Sequence, residues 1–75
     1  MAPLRKKARD AEARIAKLKT EKDSIEKKLA DPALYAPNRV AEVTAANTRL
    51  AAIARETAAA EEEWLAAEEA LEAAS

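Results

Sequence analysis

The sequence contains no glycine, no cysteine and no histidine, and only three prolines. Each absence removes a class of chemistry. Without glycine there is no P-loop and no dinucleotide fingerprint, because both need a bare backbone that can approach phosphate closely. Without cysteine and histidine the usual zinc, haem and iron–sulfur ligand sets are missing, and so is any nucleophile–histidine pair. Carboxylates remain, but a solvated helical surface offers no cleft to shift their pKa values. An enzyme is therefore not expected, and neither is a metal or cofactor held by this chain. The lack of cysteine is compatible with a reducing cytosol. Residues 1–16 are charged throughout and have no apolar stretch of the kind a signal peptide needs. No apolar run approaches the roughly 20 residues of a transmembrane helix.

What the chain does have is alanine and charge. Its 75 residues include 22 alanines and only 15 larger apolar side chains: seven Leu, three Ile, two Val and one each of Met, Trp and Tyr. Burial contributes about 1.5–3 kcal/mol per large side chain, against about 1–2 kcal/mol per residue for ordering the backbone. A marginally stable single domain, or one helped by a partner or a parent protein, is the expectation.

The run Ala-Asp-Pro-Ala-Leu-Tyr-Ala-Pro-Asn at 30–38 organises the rest. Asp31 before Pro32 reads as an N-cap followed by proline at the first helical position. Asn38 reads as a second N-cap, and Pro37 biases Ala36 away from the α region. Long proline-free helical sequence lies on either side. The predicted fold class is all-α: a two-helix antiparallel coiled-coil hairpin in one domain, with helix 1 at about 3–29, a bend at 30–38 and helix 2 at about 39–73.

Both helices carry a 3.5-residue seam. In helix 1 it runs through Leu4, Ala8, Ala11, Ile15, Leu18, Lys22, Ile25 and Leu29, with Lys22 the one misfit. Its stem can lie on the seam while its ammonium reaches water. In helix 2 it runs through Val43, Ala46, Leu50, Ile53, Thr57, Ala60, Trp64, Ala67 and Leu71. Beside the seam, an antiparallel arrangement pairs Lys28 with Glu42, Glu21 with Arg49, Arg14 with Glu56 and Lys7 with Glu63, all of opposite sign. Such pairs set orientation more than stability. On the other flank Arg5 and Glu68 are complementary, but Glu12 and Glu61 are alike. Residues 1–30 hold ten Lys/Arg and five Asp/Glu, whereas residues 31–75 hold three and nine. Each half thus opposes its own helix dipole and relieves the other's when the two lie side by side.

The seam rhythm permits two registers one heptad apart. A bend symmetric about Leu34 favours Ile15 opposite Ile53, Leu18 opposite Leu50, and Leu4 opposite Trp64. The alternative places Ala11 opposite Trp64, Ile25 opposite Leu50, and Leu4 opposite Leu71. Either way Trp64, the largest seam side chain, is expected to be mostly buried against helix 1. Leu34 and Tyr35 are expected to fold back over the last core layer near Leu29 and Val43. Leu65, outward beside Trp64, is available to dock on another domain or helix.

One candidate site stands out. Lys6, Arg9, Lys17 and Lys27 fall on outward positions where the partner helix does not consume them, and Lys22 and Arg39 lie toward the bend. They could bind nucleic-acid phosphate; the competing reading is a solvated coiled-coil surface. The net charge of −1 argues against a strong generic binder.

The order of features resembles a known family. A basic helix leads to Leu-Ala-Asp-Pro-Ala-Leu-Tyr-Ala at 29–36, then an Ala/Leu-rich helix, Ala-Ala-Ala-Glu-Glu-Glu-Trp-Leu at 58–65 and an acidic end. This is similar to the C-terminal coiled-coil domain of bacterial ABC-F proteins, ATPases with two ATP-binding cassettes and no membrane domain. The resemblance implies that the chain is a cytoplasmic C-terminal module of a larger ATPase, with ATP bound in the parent's cassettes and none here. It implies contact with nucleic acid, DNA in some members and ribosomal or other RNA in others. Docking on the parent's own ATPase cassettes, or self-association into a bundle, is the alternative; a monomer is expected. No motif of the family marks particular binding residues in the hairpin.

Overall fold

The computed structural model describes residues 2–74. Two helices account for most of them. Helix α1 spans Ala2–Leu29, and its single proline, Pro3, sits in the first turn, where no intrahelical donor is lost. Helix α2 spans Val40–Ala74 and has no proline at all. They lie side by side in a rod of 57 × 15 × 14 Å. The architecture is the predicted antiparallel helical hairpin.

With no glycine, the bend is built without any residue at positive φ among those described. It uses two short 3₁₀ turns instead, Pro32–Tyr35 and Pro37–Arg39. Asp31 caps the first, its carboxylate accepting from the Ala33 amide at 3.0 Å, with Pro32 at the first position as predicted. Ala36 is extended at φ −61°, ψ 146°, as expected of a residue before proline. The Tyr35 hydroxyl donates to the Leu29 carbonyl, one of the unsatisfied acceptors at the end of α1. Arg39 closes the bend, donating through Nη1 to the Ala33 carbonyl at 3.3 Å and pairing through Nη2 with Glu42 at 2.8 Å. Asn38 does not act as an N-cap. It lies inside the second turn, whose cap position is Ala36 with no side-chain bond, and the chain passes directly into α2. Pro37 starts that turn one residue earlier, so Asn38 already has helical neighbours on both sides.

The core is the seam. Ala8, Ala11, Leu18, Ile53, Ala60 and Ala67 are buried on it, and Ile53 is 1% exposed. Leu4, Ile15, Ile25, Leu29, Val43, Ala46, Leu50, Thr57, Trp64 and Leu71 are half-buried. Lys22 alone is exposed, which is the cost of a lysine on an apolar stripe. Leu34 is 3% exposed and borders the same cavity as Ile25, Ala45 and Ala46, so it folds back over the end of the core. Tyr35 stays 58% exposed and contributes its hydroxyl rather than its ring.

The register is the second of the two the seam permits. Ala67 is 2% exposed and Leu71 is half-buried. In the symmetric-bend register Ala67 would lie beyond the first turn of α1 and Leu71 past its start, where no residue of that helix could cover Leu71. Trp64 Nε1 donates to Glu12 Oε1 at 3.0 Å, which also places Trp64 level with Ala11 rather than Leu4. The bend is not symmetric, because the turn over Pro32–Tyr35 packs back onto the start of α2. Helix α2, at 35 residues, is one heptad longer than α1, at 28. That extra heptad lies beside the bend, where Leu34 covers it.

Candidate nucleic-acid interface

Helical geometry decides which cations of α1 share a surface. Lys6, Arg9, Ala13, Lys17, Thr20, Ser24 and Lys27 follow one another at steps of three or four, so they form one stripe. It lies opposite the seam, and all seven residues are exposed. Two carboxylates share this outer face, Asp10 at the heptad position of Lys17 and Asp23 at that of Arg9, whereas Glu12, Glu21 and Glu26 flank the seam. From Lys6 to Lys27 the stripe is about 32 Å long at roughly 1.5 Å of rise per residue.

The six candidate residues are not equivalent. Arg9, Lys17 and Lys27 form no ion pair among the described residues and stand on the stripe. Lys6 stands on it too but pairs with Asp10 at 3.1 Å, an i,i+4 contact between side chains 77% and 67% exposed. Such a pair is weak enough for a phosphate to displace. Lys22 is exposed but turns toward the groove between the helices, where it lies near Glu26 and Glu61. Arg39 is held in the bend by Glu42 and the Ala33 carbonyl. Sequence reasoning missed those bonds because the turn that presents the Ala33 carbonyl exists only once the bend is folded. It also passed over Thr20 and Ser24, which complete the stripe with hydroxyls. The Thr20 hydroxyl donates to the Ala16 carbonyl at 3.1 Å.

Two of the remaining basic residues, Arg14 and Arg49, meet acids across the seam. Arg49 donates through Nη2 to Glu21 Oε1 at 2.7 Å and through Nη1 to Glu56 Oε2 at 2.9 Å. Arg14 lies 3.7 Å from the other oxygen of Glu56. Two of the four predicted cross-seam pairs, Glu21–Arg49 and Arg14–Glu56, thus merge into one network. The hydrogen bond from Arg49 holds the Glu21 carboxyl below the usual glutamate range, and the same bond raises the Arg49 guanidinium further above its already high one. Lys28 and Glu42 do not pair, because Arg39 occupies Glu42. Lys7 and Glu63 are both exposed and do not pair; the few tenths of a kcal/mol such a contact offers do not fix two long side chains.

No helix among the described residues is long and apolar enough to cross a membrane. No group of three His, Cys, Asp or Glu side chains among them could hold a metal ion. A two-helix hairpin with a proline-built bend is a common shape, and shape alone does not name a family. The deciding comparison is with family patterns: that of the ABC transporter C-terminal domain matches residues 4–73, nearly the whole chain. The chain belongs to the ABC transporter C-terminal domain family. No curated protein and no solved structure matches it. The match spans both helices and the bend of this ABC transporter C-terminal domain, in agreement with the resemblance to the C-terminal hairpin of ABC-F proteins. The basic stripe and the acidic α2 are both inside the matched region.

Proposed function

We propose that this domain is an accessory, nucleic-acid-contacting module of an ABC-F type ATPase in the cytoplasm, touching DNA or structured ribosomal RNA and doing no chemistry itself. ATP binding and hydrolysis belong to the parent's cassettes. The observation that carries this reading is the row of Lys6, Arg9, Lys17 and Lys27 on the outer face of α1, where these four cations outnumber the two carboxylates Asp10 and Asp23. Cations in a row of about 32 Å can follow a phosphate backbone. Fixing them on a rigid helix spares the entropy of ordering a flexible tail. The acidic end of α2, from Glu61 to Glu72, would repel phosphate and so orient the hairpin with α1 toward the nucleic acid. No aromatic platform faces outward on the stripe, so recognition would be electrostatic and tolerant of sequence.

The test is a salt titration of the domain against duplex DNA and against structured RNA. Binding at about 10⁻⁴–10⁻⁶ M near physiological salt is expected, weakening steeply as salt rises. Replacing Lys6, Arg9, Lys17 and Lys27 with alanine should weaken binding without loss of helicity and flatten the salt slope by ~0.9 per lost contact to duplex. Absence of binding to either at low salt would overturn the proposal.

A further inference from the structure

The flank of the seam that carries Glu12 and Glu61 is open. A cavity of about 640 Å³ lies there between the helices, lined by Ile15, Ala16, Trp64 and Leu65, with Glu12, Glu61 and Glu62 at its rim. It shares Ile15 and Glu61 with a second hollow of about 380 Å³ toward the bend, where Lys19, Lys22 and Asp23 join the lining, so the opening is a groove along the hairpin whose acidic part is the end at Trp64. Trp64 is half-buried and Leu65 is 51% exposed, next to each other on α2. The cavity falls within the roughly 300–1,000 Å³ of ligand sites, but it is open along the helix axes, as a groove for a third helix is.

We infer that this groove is a docking site for a basic amphipathic helix of another protein, one that inserts a leucine-like side chain between Trp64 and Ile15 and sets lysine or arginine beside Glu12, Glu61 and Glu62. The charge of the rim selects the occupant. Its three carboxylates face the opening with no cation among the residues that line this cavity. Glu12 already accepts the Trp64 indole N–H; a partner bearing acids would be repelled, and a neutral one would leave Glu61 and Glu62 partly desolvated with no cation to pair. A second copy of this chain is a poor fit for the same reason. Among the described residues its exposed large apolar side chains are Tyr35, Val40 and Leu65. Leu65 would bring Glu61 and Glu62 with it, and Tyr35 and Val40 lie close in sequence to Asp31 and Glu42. The basic stripe of α1, conversely, carries no large apolar side chain to insert. The groove also lies away from that stripe, so nucleic acid and a docked helix would not compete for one surface.

The test uses the whole chain and a tryptophan-free synthetic helix with leucines at i, i+4 and i+7, flanked by lysines. Trp64 is the chain's only tryptophan, so its fluorescence reports the groove directly. A saturable blue shift on titration is expected, with a control peptide bearing glutamates in place of the lysines binding at least ~10-fold more weakly, a difference of about 1.4 kcal/mol. Leu65→Lys, at an exposed position, should leave the helicity unchanged and weaken the peptide at least ~10-fold. The double variant Glu61→Gln, Glu62→Gln should weaken the lysine peptide while leaving Trp64 as protected as before. Equal binding of the two peptides, no fluorescence change with the lysine peptide at low salt, or sedimentation as a dimer that Leu65→Lys disperses would each overturn the inference.

Discussion

The two flanks of one seam behave differently. On the flank of Arg14, Glu21, Arg49 and Glu56, side chains of opposite sign reach across and join the helices in one network. On the flank of Glu12, Lys19, Glu61 and Trp64, the helices are separated by hollows that stay open to solvent. The apolar seam between them is shared, so its burial cannot account for the difference. Charge order and side-chain size can. The closed flank sets Arg14 and Arg49 beside Glu21 and Glu56, so opposite signs meet there. The open one sets Glu12 near Glu61 and fills the seam beneath with Ala11 and Ala60, which are too small to cover an indole. Trp64 therefore remains half-buried, less covered than a fully packed seam would make it, and its Nε1–H turns to Glu12 for a partner. A thin core leaves the choice between closed and open to the flanking residues.

The comparison can be broken most severely through the element both flanks share. Ile53→Ala removes a side chain 1% exposed at the centre of the seam. A loss of about 3 kcal/mol is expected, enough to unfold so small a domain, and thermal unfolding followed by circular dichroism measures it. Trp64→Ala acts on the open flank alone. Because the indole is half-buried, the loss should be about 2 kcal/mol, below the ~3–5 kcal/mol of a fully buried aromatic. A urea midpoint shifted further than that of Ile53→Ala would show that the open flank is packed more tightly than described.

The closed flank is tested with pH. Glu21 has its carboxyl held below the usual range by the hydrogen bond from Arg49. A carboxyl depressed on folding contributes stability that is fully present above its unfolded pKa, near 4.3, and is lost as pH falls through the lower folded value. The wild type should therefore lose thermal stability on acidification through that window by more than Glu21→Gln does, with the two curves converging at low pH. Parallel curves would show that the network adds nothing to the closed flank. The mildest perturbation sharpens the comparison by fixing the register both flanks depend on. Ala8→Cys with Ala67→Cys should cross-link readily under mild oxidation, and Ala8→Cys with Ala60→Cys should not, as judged by gel mobility. The reverse result would place the helices one heptad apart from the arrangement described.

The basic stripe was legible because it needs only helical periodicity and the sign of each residue: Arg9, Lys17 and Lys27 stand where their spacing puts them. The fates of Arg39 and Asn38 were not, because both depend on how the bend folds. Arg39 finds the Ala33 carbonyl only after Pro32–Tyr35 has turned, and Asn38 loses its capping role because Pro37 starts the second turn first. The groove was half legible. Leu65 beside Trp64 marked an outward apolar pair, but the hollow beneath them depends on which residues of α1 stand opposite.

The sequence by itself determined two helices, the face each buries, the absence of any tight glycine turn, the opposite-signed flank and the division of charge between the halves. These follow from local periodicity and from side-chain chemistry, which no packing alters. Register was left to the tertiary structure. A heptad repeat looks the same to itself after a shift of seven, so both alignments keep seam facing seam. What separates them is where the extra heptad of α2 goes, past the start of α1 or alongside the bend. Leu34 decides it by folding back onto α2 and covering that length, which leaves Ala67 buried against α1 rather than bare. That contact links residues through the bend, and no periodicity along either helix contains it.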